Sequence, residues 1–297
     1  MKIELVSVIA NSQEVLWLDF GLESVLDSSK HDFNTTIYLA RYTDQIFDQC
    51  AEVAEKYNAD FQPRGDNSPT HYVSESKHRG FDINGADCVM SIQPDVVFTT
   101  KGAFDEAMKI GSDYLDSKYY LCISSDHPLD LQPLGLCIHT PLGWDKLGCE
   151  DLNFYPMCGA EHDWHRRSYL EYGLDIEDQE RYMSYTQGTP DTTPPWVCRL
   201  LSPNLLHIDK DWNTDKRISH NTGSMNKLLD LGLEIFGKSV LNEWHFPYYA
   251  KKWGNISPFE THLYPFGKEE YSRKIEWADT ECPYPEEIPP TLRGLII

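Results

Sequence analysis

The chain opens with a regular exchange of apolar and polar positions. Residues 3–10, IELVSVIA, form a near-continuous apolar run ending in Asn11-Ser12, which predicts a buried strand. Val15, Leu18, Leu22, Val25 and Leu26 follow at helical spacing, with Ser12 as N-cap. Residues 35–40, TTIYLA, predict a second strand. Residues 44–57 predict a second amphipathic helix, capped by Thr43 or Asp44, and residues 59–62 a short third strand. This β-α-β-α-β order is the pattern of a parallel sheet wrapped by helices.

Further along, PRGDNSP at 63–69 reads as a loop, and residues 74–85 as a helix carrying Lys77, His78 and Arg79. Residues 86–92, ADCVMSI, predict a fourth strand running into Gln93-Pro94-Asp95 and then the apolar stretch 96–98. A helix over 100–110 and strands over 119–124 and 134–139 come next, then a helix ending near Gly173. Beyond that the texture changes. TPDTTPPW at 189–196 is a loop, 224–237 is helical, and the tail from Phe246 is rich in Trp, Tyr and Pro without a clear period. It predicts an irregular wrap. The expected division is an α/β core over 1–175 and a C-terminal extension over 176–297 packed on it.

With 297 residues and 40% hydrophobic content, the chain can bury a substantial core. No run approaches the roughly 20 apolar residues of a membrane helix, and the first twelve residues read as a strand rather than a signal peptide. The balance of 26 Lys and Arg against 47 Asp and Glu, net −21, repels polyanions, so bulk nucleic-acid binding is not expected. The eight cysteines are scattered without CxxC pairs. Reduced, buried thiols and a cytoplasmic location are the expectation.

The densest chemistry lies in NFYPMCGAEHDWHRR, residues 153–167. Glu161, His162, Asp163, His165, Arg166 and Arg167 fall within seven positions, around Trp164. A carboxylate or imidazole that takes a proton, cations that hold an anion and an aromatic wall form a catalytic inventory. The plainer alternative is a charged, solvated helix start with internal ion pairs. Asp95, at the carboxyl end of a central strand, stands where open α/β sheets bind ligands, as a hard oxygen ligand for Mg²⁺ or Mn²⁺. The plainer alternative there is a turn aspartate after proline.

Taken together, the β-α-β-α-β start, the strand ending in Gln93-Pro94-Asp95 and the block Gly159-Ala160-Glu161-His162-Asp163 followed by Arg166-Arg167 resemble the GT-A fold glycosyltransferases. In particular they look like the large inverting family 2. The resemblance spans roughly residues 3–175 and implies a GT-A-like, Rossmann-type mixed sheet flanked by helices. It implies that Ala10 and Asn11 hold the nucleotide base, with Asp44 in place of the acidic segment after the second strand. Lys77, Arg79 and Asn84 would approach the nucleotide. Gln93 and Asp95 match the family's Asp-x-Asp metal motif, with the first acid replaced. Glu161, His162 or Asp163 would be the base, with Glu150-Asp151 a competing match. Arg79, Arg166 and Arg167 would hold the diphosphate, and His207 or His220 would complete the metal shell.

The implied activity is metal-assisted transfer of a sugar, with inversion, from a nucleotide-diphospho sugar to a hydroxyl. A UDP-sugar is the first expectation for the donor and Mn²⁺ or Mg²⁺ for the metal. The acceptor would be a glycan, a protein or a small molecule. Two other classes compete. One is a metal-dependent hydrolase built on the EHDWH cluster, with His162 and His165 on one helix side. The other is a non-catalytic carbohydrate or nucleotide-sugar-binding module on a degenerate transferase fold.

Overall fold

The structure, a computed structural model, describes residues 1–9, 12–27, 31–40, 44–64, 69–92, 94, 96–98, 105, 120–123, 136–154, 160–172, 197–199, 244–256 and 259–277. Strands β1 (Lys2–Ile9), β2 (Asp32–Leu39), β3 (Asp60–Pro63) and β4 (Cys88–Ile92) alternate with helices α1 (Ser12–Asp27), α2 (Asp44–Lys56) and α3 (Pro69–His78). β5 (Val96–Phe98), β6 (Tyr120–Ile123) and β7 (Leu136–His139) follow, then α4 (Pro141–Leu147) and α5 (Ala160–Tyr172). β8 (Val197–Arg199) and α6 (Phe246–Trp253) complete the set.

The main sheet has six strands in the order β3-β2-β1-β4-β7-β6. β1 pairs in parallel with β2 and β4, and β2 with β3, whereas β4–β7 and β6–β7 are antiparallel. β5 and β8 form a separate antiparallel pair. The expected α/β class with a mixed sheet is what the chain forms. Predicted boundaries moved most in one helix: that expected over 74–85 begins at Pro69, and after His78 its path widens into a π-turn over Arg79–Ile83.

Strand alternation divides the core into two layers. On one face Ile3, Leu5 and Ile9 of β1 meet Ile37, Leu39, Met90 and Ile92, covered by Val15, Leu18, Leu22 and Val25 of α1 and by Cys50, Val53 and Ala54 of α2. On the other face Val6, Tyr38 and Val89 pack under Tyr72 of α3, and the rings of Tyr38 and Tyr72 stack with centroids 4.9 Å apart. Beside this second layer Phe154, Ala160 and Leu170 gather Tyr248, Tyr249 and Trp253 of α6 into a third cluster.

The tail is therefore more regular than its composition suggests. Pro247 sits in the first turn of α6, Lys251 and Lys252 in its last, and Gly254 ends it at φ 82°. All three are ordinary helix signals. α4 was also missed. Thr140 caps it by accepting from the Gly143 amide at 3.0 Å, and Pro141 follows at the first turn. At its end Gly148 has φ 65°, and a Cβ there would stand 1.9 Å from the Ile275 carbonyl oxygen. Only glycine lets these two backbones meet, and the Cys149 amide donates to that carbonyl at 2.8 Å.

Candidate functional site

The order β3-β2-β1-β4 places a topological switch between β1 and β4. From β1 the chain moves outward through β2 to β3, then returns across the sheet to β4 on the other side of β1. In open α/β sheets the carboxyl ends of the strands at such a switch are where ligands bind. β1 ends at Ile9 and β4 at Ile92. The residues that follow are Ala10-Asn11 and Gln93-Pro94-Asp95. Pro94 is buried; Ala10, Asn11, Gln93 and Asp95 lie outside the described residues, as do His207 and His220. Asp44 begins α2 and Glu161 lies in the first turn of α5, with only their backbones described.

Four residues expected to serve the nucleotide have internal partners. The Lys77 ammonium reaches the Glu150 carboxylate, which also accepts from the Ser74 hydroxyl. It lies 3.6 Å from the centroid of the Trp164 ring. Burial lowers its pKa, with Glu150 acting against that shift. Arg79 donates to Asp60 at 2.9 Å and to Thr36. Asn84 donates to Glu4 at 2.7 Å. Asp60 is the first residue of β3 and Glu4 lies near the start of β1, so Arg79 and Asn84 stand towards the amino ends of the strands, away from the switch point. Arg167 is enclosed entirely. A cation that the sequence reading passed over, Arg64, does stand at the carboxyl edge. Its amide donates to the Leu39 carbonyl at 3.0 Å and its guanidinium to Glu75 at 2.7 Å. The available signal was a lone arginine directly after a strand.

The 159–167 block divides by helix face. Asp163 and Arg167, one turn apart on α5, form a pair at 2.8 Å with both side chains fully buried. Arg167 also donates to the carbonyls of Leu147 at 2.6 Å, Cys149 at 2.9 Å and Arg273 at 3.2 Å. From α6, the Lys252 ammonium stands 2.6 Å from Asp163 and 2.7 Å from Asp151, and Trp253 Nε1 donates to Asp163 at 2.9 Å. Tyr248 donates to Asp151 at 2.8 Å. Burial alone would raise the Asp163 pKa, but Lys252 and Arg167 outweigh it and hold the carboxyl below its usual range. This carboxylate is saturated with donors, an anchor that leaves little capacity for accepting a proton.

His162 is only partly buried. Its ring meets Tyr249 edge-on at 6.4 Å, and Tyr249 donates to Glu260 at 2.7 Å. Burial lowers the His162 pKa against the opposing charge of Glu260. His165 is pushed down to about 3, by burial and then by His162. His139 of β7 is held far below its ordinary value by burial, then by Lys77 and His165, and its ring stands edge-on to Trp164 at 5.5 Å. Burial thus favours the neutral form of all three imidazoles. Among the described residues no group of three His, Cys, Asp or Glu is arranged to hold a metal ion. With Asp163 committed to Arg167 and Lys252, the EHDWH stretch does not form such a centre within them.

No protein-family model matches the chain, and no curated protein matches it. Solved structures do. One is a mannosyltransferase from Pyrobaculum calidifontis in complex with GDP-Man and Mn²⁺, at 10% identity and TM-score 0.45, covering 57% of this chain and 52% of that one. Another is TarS of S. aureus in complex with UDP, at 13% identity and TM-score 0.42, covering 57% and 55%. A third is mouse xyloside xylosyltransferase 1, at 7% identity and TM-score 0.34, covering 63% and 76%. The chain spans about half the length of the first two. No helix among the described residues is long and apolar enough to cross a membrane.

Proposed function

We propose that the chain is a glycosyltransferase that moves a sugar from a nucleotide-diphospho sugar to an acceptor hydroxyl with inversion. The observation that carries this reading is the switch point between β1 and β4, the place where open α/β sheets bind ligands; Ala10-Asn11 and Gln93-Pro94-Asp95 are the residues that follow these two strands. In this proposal Ala10 and Asn11 hold the base of the donor, Asp44 borders it, and Gln93 and Asp95 face the diphosphate. Arg64 supplies positive charge at the same edge. A divalent cation, Mn²⁺ or Mg²⁺, would be held by Asp95 with the donor's phosphate oxygens, a hard-oxygen set that suits either ion. Bound there, it would neutralise charge on the leaving diphosphate.

The base is assigned to His162, with Glu161 beside it, and Asp163 to anchoring the helix that presents them. The neutral imidazole takes the acceptor proton as the hydroxyl oxygen bonds to the anomeric carbon and the sugar–phosphate bond breaks. Removing such a base costs about 10²–10⁴-fold in turnover while donor binding survives. The deciding experiment is thermal denaturation with UDP, GDP or CDP, with and without Mn²⁺. One nucleotide is expected to raise the midpoint in a metal-dependent way. If none does, the donor reading fails. Nucleotide binding without turnover of any sugar would instead favour the binding-module reading, which Gln93 in place of an acid supports.

A further inference from the structure

In the antiparallel pairing of β6 with β7, Cys122 and Cys137 are direct register partners. Residues directly opposite in such a ladder share a face, and their Cα atoms lie about 4.5 or 5.5 Å apart depending on pair type. Both separations fall within the range of about 4.4–6.8 Å that a disulfide spans. We propose that Cys122 and Cys137 are a modification site, oxidised reversibly to a cross-strand disulfide by a low-molecular-weight disulfide such as oxidised glutathione.

The reaction balances as two exchanges. The Cys137 thiolate attacks one sulfur of oxidised glutathione and releases a glutathione thiolate. The Cys122 thiolate then attacks the Cys137 sulfur and displaces the second glutathione. Two protein thiols are oxidised, one glutathione disulfide is reduced, and the two thiol protons end on the two glutathiones.

Selectivity follows from burial. Cys50, Cys88 and Cys149 are buried, while Cys137 is partly exposed. Burial and then Asp87 push the Cys88 thiol up to about 12, and burial and then Glu150 do the same for Cys149. Neither forms a thiolate near neutrality. The position also matters. Cys137 is the register partner of Ser91 and Leu136 that of Ile92, the last residue of β4. Cys122 and Cys137 thus flank the connection 124–135 at the edge where Gln93 and Asp95 follow β4. Oxidation ties β6 to β7 next to the carboxyl end of β4. The proposal does not depend on the transferase reading.

The test uses the full folded chain, incubated with oxidised glutathione, denatured, alkylated without reduction and cut with trypsin. The stretch 119–146 contains Cys122 and Cys137, no other cysteine and no internal Lys or Arg. It is expected as one peptide, unalkylated and two hydrogens lighter than its reduced form, and reversed by dithiothreitol. C122S and C122A are expected to stop at a single glutathione on Cys137. The proposal is overturned if the wild-type peptide keeps two alkylated thiols. A peptide carrying one glutathione and one alkyl group, or equal oxidation of Cys88 and Cys149, also overturns it.

Discussion

On the α1–α2 face of the sheet the buried cluster from Ile3 to Ile138 consists of aliphatic side chains with Met90, Cys50 and Cys88. On the opposite side, and in the cluster beside it, the buried residues include Glu4, Lys77, His139, Glu150, Asp151, Asp163, Arg167 and Lys252. Hydrophobic burial is non-directional, so the first face stays stable under many sequences. Buried charges stabilise only when every partner is in place, so the second face tolerates few alternatives. The difference teaches where this protein keeps its geometry. One side supplies stability, and the other fixes helix α5, which carries the residues assigned to chemistry.

The sharpest way to break this contrast is Lys252→Met. It leaves Asp151 and Asp163 buried beside fewer cations, and the expected loss is about 3–5 kcal/mol, read as a lower urea midpoint at unchanged m. Leu22→Ala on the aliphatic face is expected to cost about 2–4 kcal/mol. If Leu22→Ala proves clearly the more damaging, the charged layer is not the demanding one.

The next effect is on pH dependence. His165 falls from an ordinary value near 6.5 to about 3 in the fold. Below about pH 6.5 the unfolded chain takes a proton that the folded chain refuses. This group therefore withholds nothing above that pH, and stability drains as the pH falls towards 3. His165→Gln is expected to flatten the stability profile between pH 6.5 and 4, and an unchanged slope would show that the fold does not hold His165 in its neutral form. The smallest effect on the fold is expected from Asp95→Asn: a stability change within about 0.5 kcal/mol, with metal-dependent nucleotide stabilisation abolished. Retained nucleotide affinity in that variant would detach Asp95 from the site.

The contrast also explains what the sequence could reveal. β1 was expected over 3–10 and runs Lys2–Ile9; α2 was expected over 44–57 and runs Asp44–Lys56. Aliphatic periodicity is local information, and the first face is written in it. The charged layer is not local. Asp163 and Arg167 at i,i+4 were legible as an ion pair, but whether that pair faced water depended on Trp253, 90 positions away. Lys77 and Arg79 looked like ligand-seeking cations because Glu150 and Asp60 could not be assigned to them from spacing. α6 was hidden by an aromatic composition, although its proline, lysines and closing glycine were in view.

Glu150 and Asp151 are neighbours in the chain, yet one is neutralised by Lys77 of α3 and the other by Lys252 of α6. This sets an order of assembly during synthesis. Once residue 92 has emerged, the parallel strands and their aliphatic layer can close. The charged layer cannot, because Asp151 and Asp163 wait for a lysine 101 residues downstream of the first of them. Until Lys252 arrives, a ribosome-bound intermediate carries a finished sheet with an open, acid-rich flank. The synthesis of α6 thus decides when α5 becomes a fixed helix.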